Sequence, residues 1–197
     1  MANIIAVLNS KGGAGKTTLA LHIAHALSSR GNTVLVDSDP QGSARDWQEQ
    51  RETPAFPVVG IDRASIDKDV PPIAKEYEWC VIDGSARIER QIAATIKIAD
   101  LVVIPIQPSP LEFWAVHGLV ETIKARQELA DGSPVAAFQV NRAKKHTQLA
   151  REVTAAIEAL EVPMFHGAIH DRTVFARALI NGTTALDSTD EEARHEI

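Results

Sequence analysis

A chain of 197 residues, 45% hydrophobic and 23% charged, is long enough for one well-buried core and too apolar for wholesale disorder. Its net charge of −6 argues against indiscriminate nucleic-acid binding. No apolar run approaches the roughly 20 residues that span a bilayer, no basic leader precedes the first apolar stretch, and the single cysteine, Cys80, excludes an internal disulfide and fits a reducing compartment.

The first predicted element is a strand, IIAVL at 4–8. It is continuous in its hydrophobicity rather than alternating, the pattern of a parallel strand covered on both faces. The stretch NSKGGAGKTT (9–18) follows, and then a helix on which Leu19, Ile23, Ala24 and Leu27 share a face, closed near Gly31. TVLV (33–36) is a second strand and runs into DSDPQ (37–41), while ETPAFP (52–57) reads as an irregular loop. WCVI (79–82) is a third strand, ending in Asp83 and Gly84; it surrounds Cys80 with apolar neighbours, so that thiol reads as a small buried hydrophobe. LVVIPI (101–106) is a fourth, followed by a helix that places Leu111, Ala115, Leu119 and Ile123 on one face. VAAFQV (135–140) is the fifth, and Leu149, Val153, Ile157 and Leu160 outline a last helix stopped by Pro163. Strand and helix alternating in this way imply an α/β fold: a doubly wound, mostly parallel sheet with helices on both faces and right-handed crossovers. A single domain over 1–197, without internal repeats, is expected.

Ligands of such sheets bind beyond the carboxyl ends of the strands. There the first strand delivers a phosphate-binding loop of unusual form. The ordinary spacing, Gly then four residues then Gly-Lys-Ser/Thr, puts Ser10 where the first glycine belongs and adds a second lysine, Lys11. Gly12, Gly13, Ala14 and Gly15 turn backbone N–H groups toward phosphate oxygens, and the helix that starts at Lys16, Thr17 and Thr18 adds its positive end. Lys16 reaches the terminal phosphates and the Thr17 hydroxyl takes Mg²⁺. Asp37 and Asp39, on alternate positions of an extended segment, face the same side. Asp83, closing an apolar strand, has the form of a carboxylate that holds Mg²⁺ through water.

KGGAGKTT with a lysine at its start, DSDPQ and VIDG together resemble the deviant Walker A ATPases, and among them the ParA family of partition ATPases, from Asn3 to about Asp187. The resemblance implies a P-loop NTPase that uses ATP, ADP and Mg²⁺ with weak basal hydrolysis, and that forms a homodimer around ATP. It implies that Lys11 crosses to the partner's phosphates, that Asp39 polarises the attacking water, that Asp37 supports the Mg²⁺ shell and that Asn141 contacts adenine. PIQPSPLEFW (105–114) resembles a proline-rich segment that contributes to dimerisation. Non-specific DNA binding is also implied, carried by Lys144, Lys145, Arg172 and Arg177. Residues 138–180, with 6 basic and 4 acidic side chains, are where the charge turns positive; residues 181–197 carry 1 and 5.

Partners implied are a centromere-binding ParB-like protein, such as a small ribbon-helix-helix type, and DNA, in a cytoplasmic, nucleoid-associated setting. No N-terminal helix-turn-helix extension is seen, the family's closing helix is expected to be cut short at ARHEI, and the lack of a terminal amphipathic helix disfavours a membrane-surface role. The first expected function is ATP-driven segregation of plasmid or chromosomal DNA. Two alternatives stand beside it: positioning of a protein cargo, such as a carboxysome or chemoreceptor cluster, and small-molecule phosphotransfer on the same scaffold, as in dethiobiotin synthesis.

Overall fold

In the computed structural model, six strands hydrogen-bond in the order β3-β2-β4-β1-β5-β6, every neighbouring pair parallel. The structure describes residues 2–51, 53–86, 88–144, 156–157 and 159–197. Strands are β1 (Asn3–Val7), β2 (Thr33–Asp37), β3 (Val58–Gly60), β4 (Trp79–Asp83), β5 (Leu101–Ile106) and β6 (Val135–Val140). Helices are α1 (Lys16–Ser28), α2 (Ser43–Glu49), α3 (Ile66–Ala74), α4 (Glu89–Ile98), α5 (Pro110–Leu129), α6 (Thr173–Ile180) and α7 (Glu191–His195), with a 3₁₀ turn at Ala185–Asp187. The five expected strands are all present. The sixth, β3, has three residues and lies directly after the ETPAFP loop.

Because the strands are covered on both sides, alternate residues of each feed two separate cores. Ala6, Leu8, Val34, Val36 and Ile82 pack with α3, α4 and α5, whereas Val7, Leu35, Val81 and Val103 pack with α1, α2 and α6. Cys80 is fully buried in the first of these cores, where burial pushes its thiol up to about 12. The register is what builds the site. Asp83 of β4 stands opposite both Val7 of β1 and Asp37 of β2, so the three strands end level and their following loops converge.

Two helices depart from expectation. On α5 the buried face is Glu112, Val116, Leu119, Val120 and Ile123, while Leu111 and Trp114 are 62% and 68% exposed. The expected face is therefore rotated at its first turn, where a carboxylate takes the inward position. Of the last expected helix, Leu149 and Val153 lie outside the described residues, and Ile157 and Leu160 are buried. Among the described residues no helix is long and apolar enough to cross a membrane.

Residues 163–171 run along β6: the Phe138 N–H donates to the Pro163 carbonyl, Phe165 to Phe138, Ile169 to Val140 and Ala143 to Ile169. Residues 183–187 then lie across α1 and α2. The Trp47 indole donates to the Thr183 carbonyl at 3.0 Å. His22, fully buried, uses both ring nitrogens: Nδ1 donates to the Thr18 carbonyl at 2.6 Å and Nε2 accepts from the Ala185 N–H at 2.9 Å. Only the neutral ring can make both bonds, and burial pushes its pKa down to about 4.

Candidate nucleotide site

The loop after β1 contains two left-handed glycines, Gly13 at φ +78° and Gly15 at φ +94°. Gly15 needs to be glycine twice over. Its φ strains any side chain, and a Cβ there would lie 2.1 Å from the Asn141 amide nitrogen. As N-cap of α1 it offers no side-chain oxygen to the first N–H groups, and no acidic residue stands in the first turn. Unpaired donors and the positive end of the helix dipole are thus left for an anion, as a phosphate site requires.

Two lysines serve this loop in different conditions. Lys16 is 7% exposed, and its ammonium donates to the Lys11 carbonyl at 3.1 Å. Burial lowers its pKa, while Asp83, Asp39 and Glu112, in that order, oppose the shift. Lys11 lies at the rim with its side chain 40% exposed, its ammonium 2.6 Å from Oε1 of Glu112. Glu112 is buried, and its second oxygen has no hydrogen-bond partner among the described residues. Sequence reasoning missed Glu112, since it breaks the apolar face of α5; the signal was the one acidic residue in a proline-rich apolar segment.

Further bonds fasten the loop to the segment after β5, also unforeseen. The Asn9 amide donates to the Pro105 carbonyl at 2.7 Å, the Ser10 hydroxyl to Ala115 at 2.8 Å and the Gln107 amide to Gly13 at 2.8 Å. Ser10 replaces the usual glycine with a side chain that holds α5.

Among the carboxylates, Asp83 is 1% exposed and neither oxygen has a partner of good hydrogen-bonding geometry among the described residues. Burial pushes its pKa up to about 7, opposed by the Thr17 hydroxyl and Lys16 and assisted by Asp37 and Asp39. A bare buried carboxylate beside a threonine hydroxyl and the phosphate loop fits a divalent cation. Among the described residues no three of His, Cys, Asp or Glu converge. A cation here would take most of its oxygens from phosphate and water, which suits Mg²⁺. Asp39 is half-buried, accepts from the Gln41 N–H at 2.9 Å, and lines a cavity of about 470 Å³ with Gly12, Gln41 and Ser85.

Asp37 is engaged otherwise than expected. One oxygen accepts from the Asp39 N–H at 3.1 Å; the other accepts from the N–H groups of Ala44 and Arg45 at 3.1 Å each and from Arg45 Nε at 3.4 Å. Its oxygens hold the start of α2 and the Asp39 N–H, and so shape the acidic loop. Asn141 is likewise occupied. Its amide nitrogen donates to the Ala14 carbonyl and its oxygen accepts from the Arg142 N–H, both at 2.9 Å. It pins the phosphate loop from β6, and with Gly15, Thr18, Ile169 and Phe175 it lines a cavity of about 360 Å³ next to the start of α1. That cavity has the apolar walls a nucleotide base needs.

The basic residues are unequally placed. Arg172 is held by Glu192, by Glu196 at 2.9 Å and by Asp190 at 3.9 Å, because the acidic C-terminal segment folds back over it. Glu192 first, and then Glu196, raise its pKa further. Lys144 and Arg177 are exposed, and Lys145 lies outside the described residues.

A profile of the CobQ/CobB/MinD/ParA nucleotide binding domain matches residues 5–185. Two similar proteins carry the name Maintenance of carboxysome distribution protein A. The one from Gloeobacter kilaueensis is 33% identical over 199 residues, covering 97% of this chain and 87% of its own. The one from Halothiobacillus neapolitanus is 29% identical over 186 residues, covering 92% and 86%. The fold matches that of a Cyanothece McdA–ATP complex with a TM-score of 0.84 at 15% identity, covering 98% of this chain and 92% of the other. The chain belongs to the CobQ/CobB/MinD/ParA nucleotide-binding family, as an ATPase of the MinD/ParA type.

Proposed function

We propose that this ATPase positions a protein cargo, of which a carboxysome is the leading example, by an ATP-gated cycle of dimerisation on non-specific DNA. The observation that carries the gate is the placement of Lys11. It stands at the rim of the loop on a carboxylate it can exchange for a phosphate, while Lys16 fills the interior. A partner's triphosphate brings more negative charge than one carboxylate, so two subunits facing each other each supply a cation to the other's nucleotide. Lys16 neutralises the β- and γ-phosphates, Thr17 and Asp83 hold the Mg²⁺ that screens them, and Asp39 orients the attacking water. Loss of the γ-phosphate removes the anion that Lys11 bridges to and weakens the interface.

The cargo assignment rests on the two carboxysome-distribution relatives, each matched over most of its length. DNA segregation, which the motifs alone put first, becomes the second reading; it retains support from a protein named ParA in Rhizobium radiobacter, 28% identical over 131 residues. Small-molecule phosphotransfer ranks third. Exposed Lys144 and Arg177 are the DNA contacts this reading retains, and the partner is a small cargo adaptor. The test is deletion of the gene in its host, scored for cargo spacing and plasmid retention together. Clumped cargo with normal plasmid retention is expected; evenly spaced cargo with plasmid loss restores the segregation reading.

A further inference from the structure

We infer that Gln91, on α4, is a positioning residue for hydrolysis: it fixes the peptide that joins Ser38 to Asp39 and so aims Asp39. This rests on the role proposed for Asp39. Ser38 is fully buried, and its polar groups are all engaged. Its N–H and its hydroxyl both donate to the Asp83 carbonyl, at 3.0 and 2.8 Å, and its own carbonyl accepts from Gln91 Nε2 at 2.7 Å. The Ser38 carbonyl and the Asp39 N–H belong to one planar peptide unit. Gln91 holds that plane by the carbonyl, and Asp37 holds it by the N–H at 3.1 Å. A plane gripped at both edges cannot rotate, and the Asp39 side chain leaves from it directly.

The condition of Gln91 itself points the same way. It is 1% exposed, and its Oε1 is buried without a hydrogen-bond partner among the described residues. An orphaned acceptor in a core is a liability that an apolar side chain of the same length would remove. An apolar side chain would, however, also strip the buried Ser38 carbonyl of its donor, so the site keeps the amide for the grip on that peptide. Gln91 also sits on the helix that follows the loop after Asp83, so one bond joins the two acidic loops.

The test uses the full chain and four proteins: wild type, Gln91→Met, Asp39→Ala and Thr95→Val. Thr95 lies one turn along α4, and its buried hydroxyl donates to the Gln91 carbonyl at 2.8 Å. Gln91→Met should bind ATP·Mg²⁺ within about threefold of wild type, melt no lower than Thr95→Val, exchange the amides of Asp39 and Gln41 faster, and turn over ATP about tenfold more slowly or worse. Thr95→Val should melt lower with turnover unchanged. An inactive Asp39→Ala beside a fully active Gln91→Met overturns the positioning role and spares Asp39, whereas an active Asp39→Ala overturns the reading beneath it. Loss of melting temperature and ATP affinity together in Gln91→Met makes Gln91 a scaffold residue and overturns the proposal. Should Gln91→Met not fold, Gln91→Glu keeps the shape while setting a carboxylate against the Ser38 carbonyl, and the same outcomes apply.

Discussion

The two ends of α1 bury polar groups in opposite conditions. At its N-terminus stand Lys16, desolvated by burial, Asp83, whose oxygens find no well-aligned partner among the described residues, and Glu112 with one oxygen in the same condition. Toward its C-terminus His22 spends both ring nitrogens, His25 Nδ1 lies 2.6 Å from the Thr184 hydroxyl, and the Trp47 indole nearby reaches a carbonyl. Both regions are buried, and both are polar. They differ in whether the chain supplies the partners. Buried polar groups in folded proteins are normally paired, so the unpaired end is where a ligand completes the structure and the paired end is where the chain has completed itself.

The largest expected effect breaks the ligand end without harming the fold. Lys16→Ala should lower ATP·Mg²⁺ affinity by about a thousandfold, the scale of losing a cation against a buried triphosphate. Its melting temperature should match or exceed that of wild type, because a desolvated charge has gone. Isothermal titration and thermal scanning of one sample decide both.

The reverse is expected at the other end. His22→Ala should cost about 2–4 kcal/mol of stability through a cavity and two lost bonds, read from urea unfolding, with far less effect on ATP affinity than Lys16→Ala. Affinity lost as steeply as in Lys16→Ala would merge the two ends into one site.

Acid sharpens the same contrast. His22 has a folded pKa near 4 against 6.5 unfolded, so the unfolded state takes up its proton first as pH falls. Stability from this group is whole above pH 6.5, drains away between 6.5 and 4, and is flat below. The loss is on the order of 3 kcal/mol. His25, also lowered by burial, adds in the same direction. Urea midpoints for wild type and His22→Gln across that window should converge as pH falls; parallel curves would show that His22 does not carry the slope.

The smallest effect concerns the rim. Glu112→Gln removes a carboxylate that repels incoming phosphate and occupies Lys11. ATP affinity should rise by about three- to tenfold, most at low ionic strength. Unchanged affinity at low salt would mean that the pair does not compete with nucleotide.

Legibility in the sequence divides along physical lines. Strands β1, β2, β4, β5 and β6 could be read because residues buried on both faces write unbroken apolar runs. The phosphate loop could be read because its backbone geometry demands glycine. β3 was invisible because three residues carry no period, and α3 was obscured by Pro71 and Pro72 in its interior. The first turn of α5 was misread for a different reason. Periodicity assigns Leu111 to the core, but Lys11, about a hundred residues away in sequence, draws Glu112 inward and turns Leu111 out. Arg172 shows the same limit: the carboxylates that claim it come from α7, and no local pattern announces a pairing made by the fold.

One feature of the sheet bears on how copies of this protein gather. β6 ends the strand order, yet the outer N–H and carbonyl of Phe138 and the carbonyl of Val140 are already engaged by residues 163–171. At the opposite edge β3 offers only three residues. Exposed strand edges are templates on which a neighbouring chain can add, and crowding many copies onto one surface would make such addition hard to reverse. With one edge partly covered by its own chain and the other so short, contact between crowded copies falls mainly to side chains, whose bonds release as readily as they form. If the proposed positioning cycle holds, a protein that collects and disperses within it gains from a sheet with so little open edge.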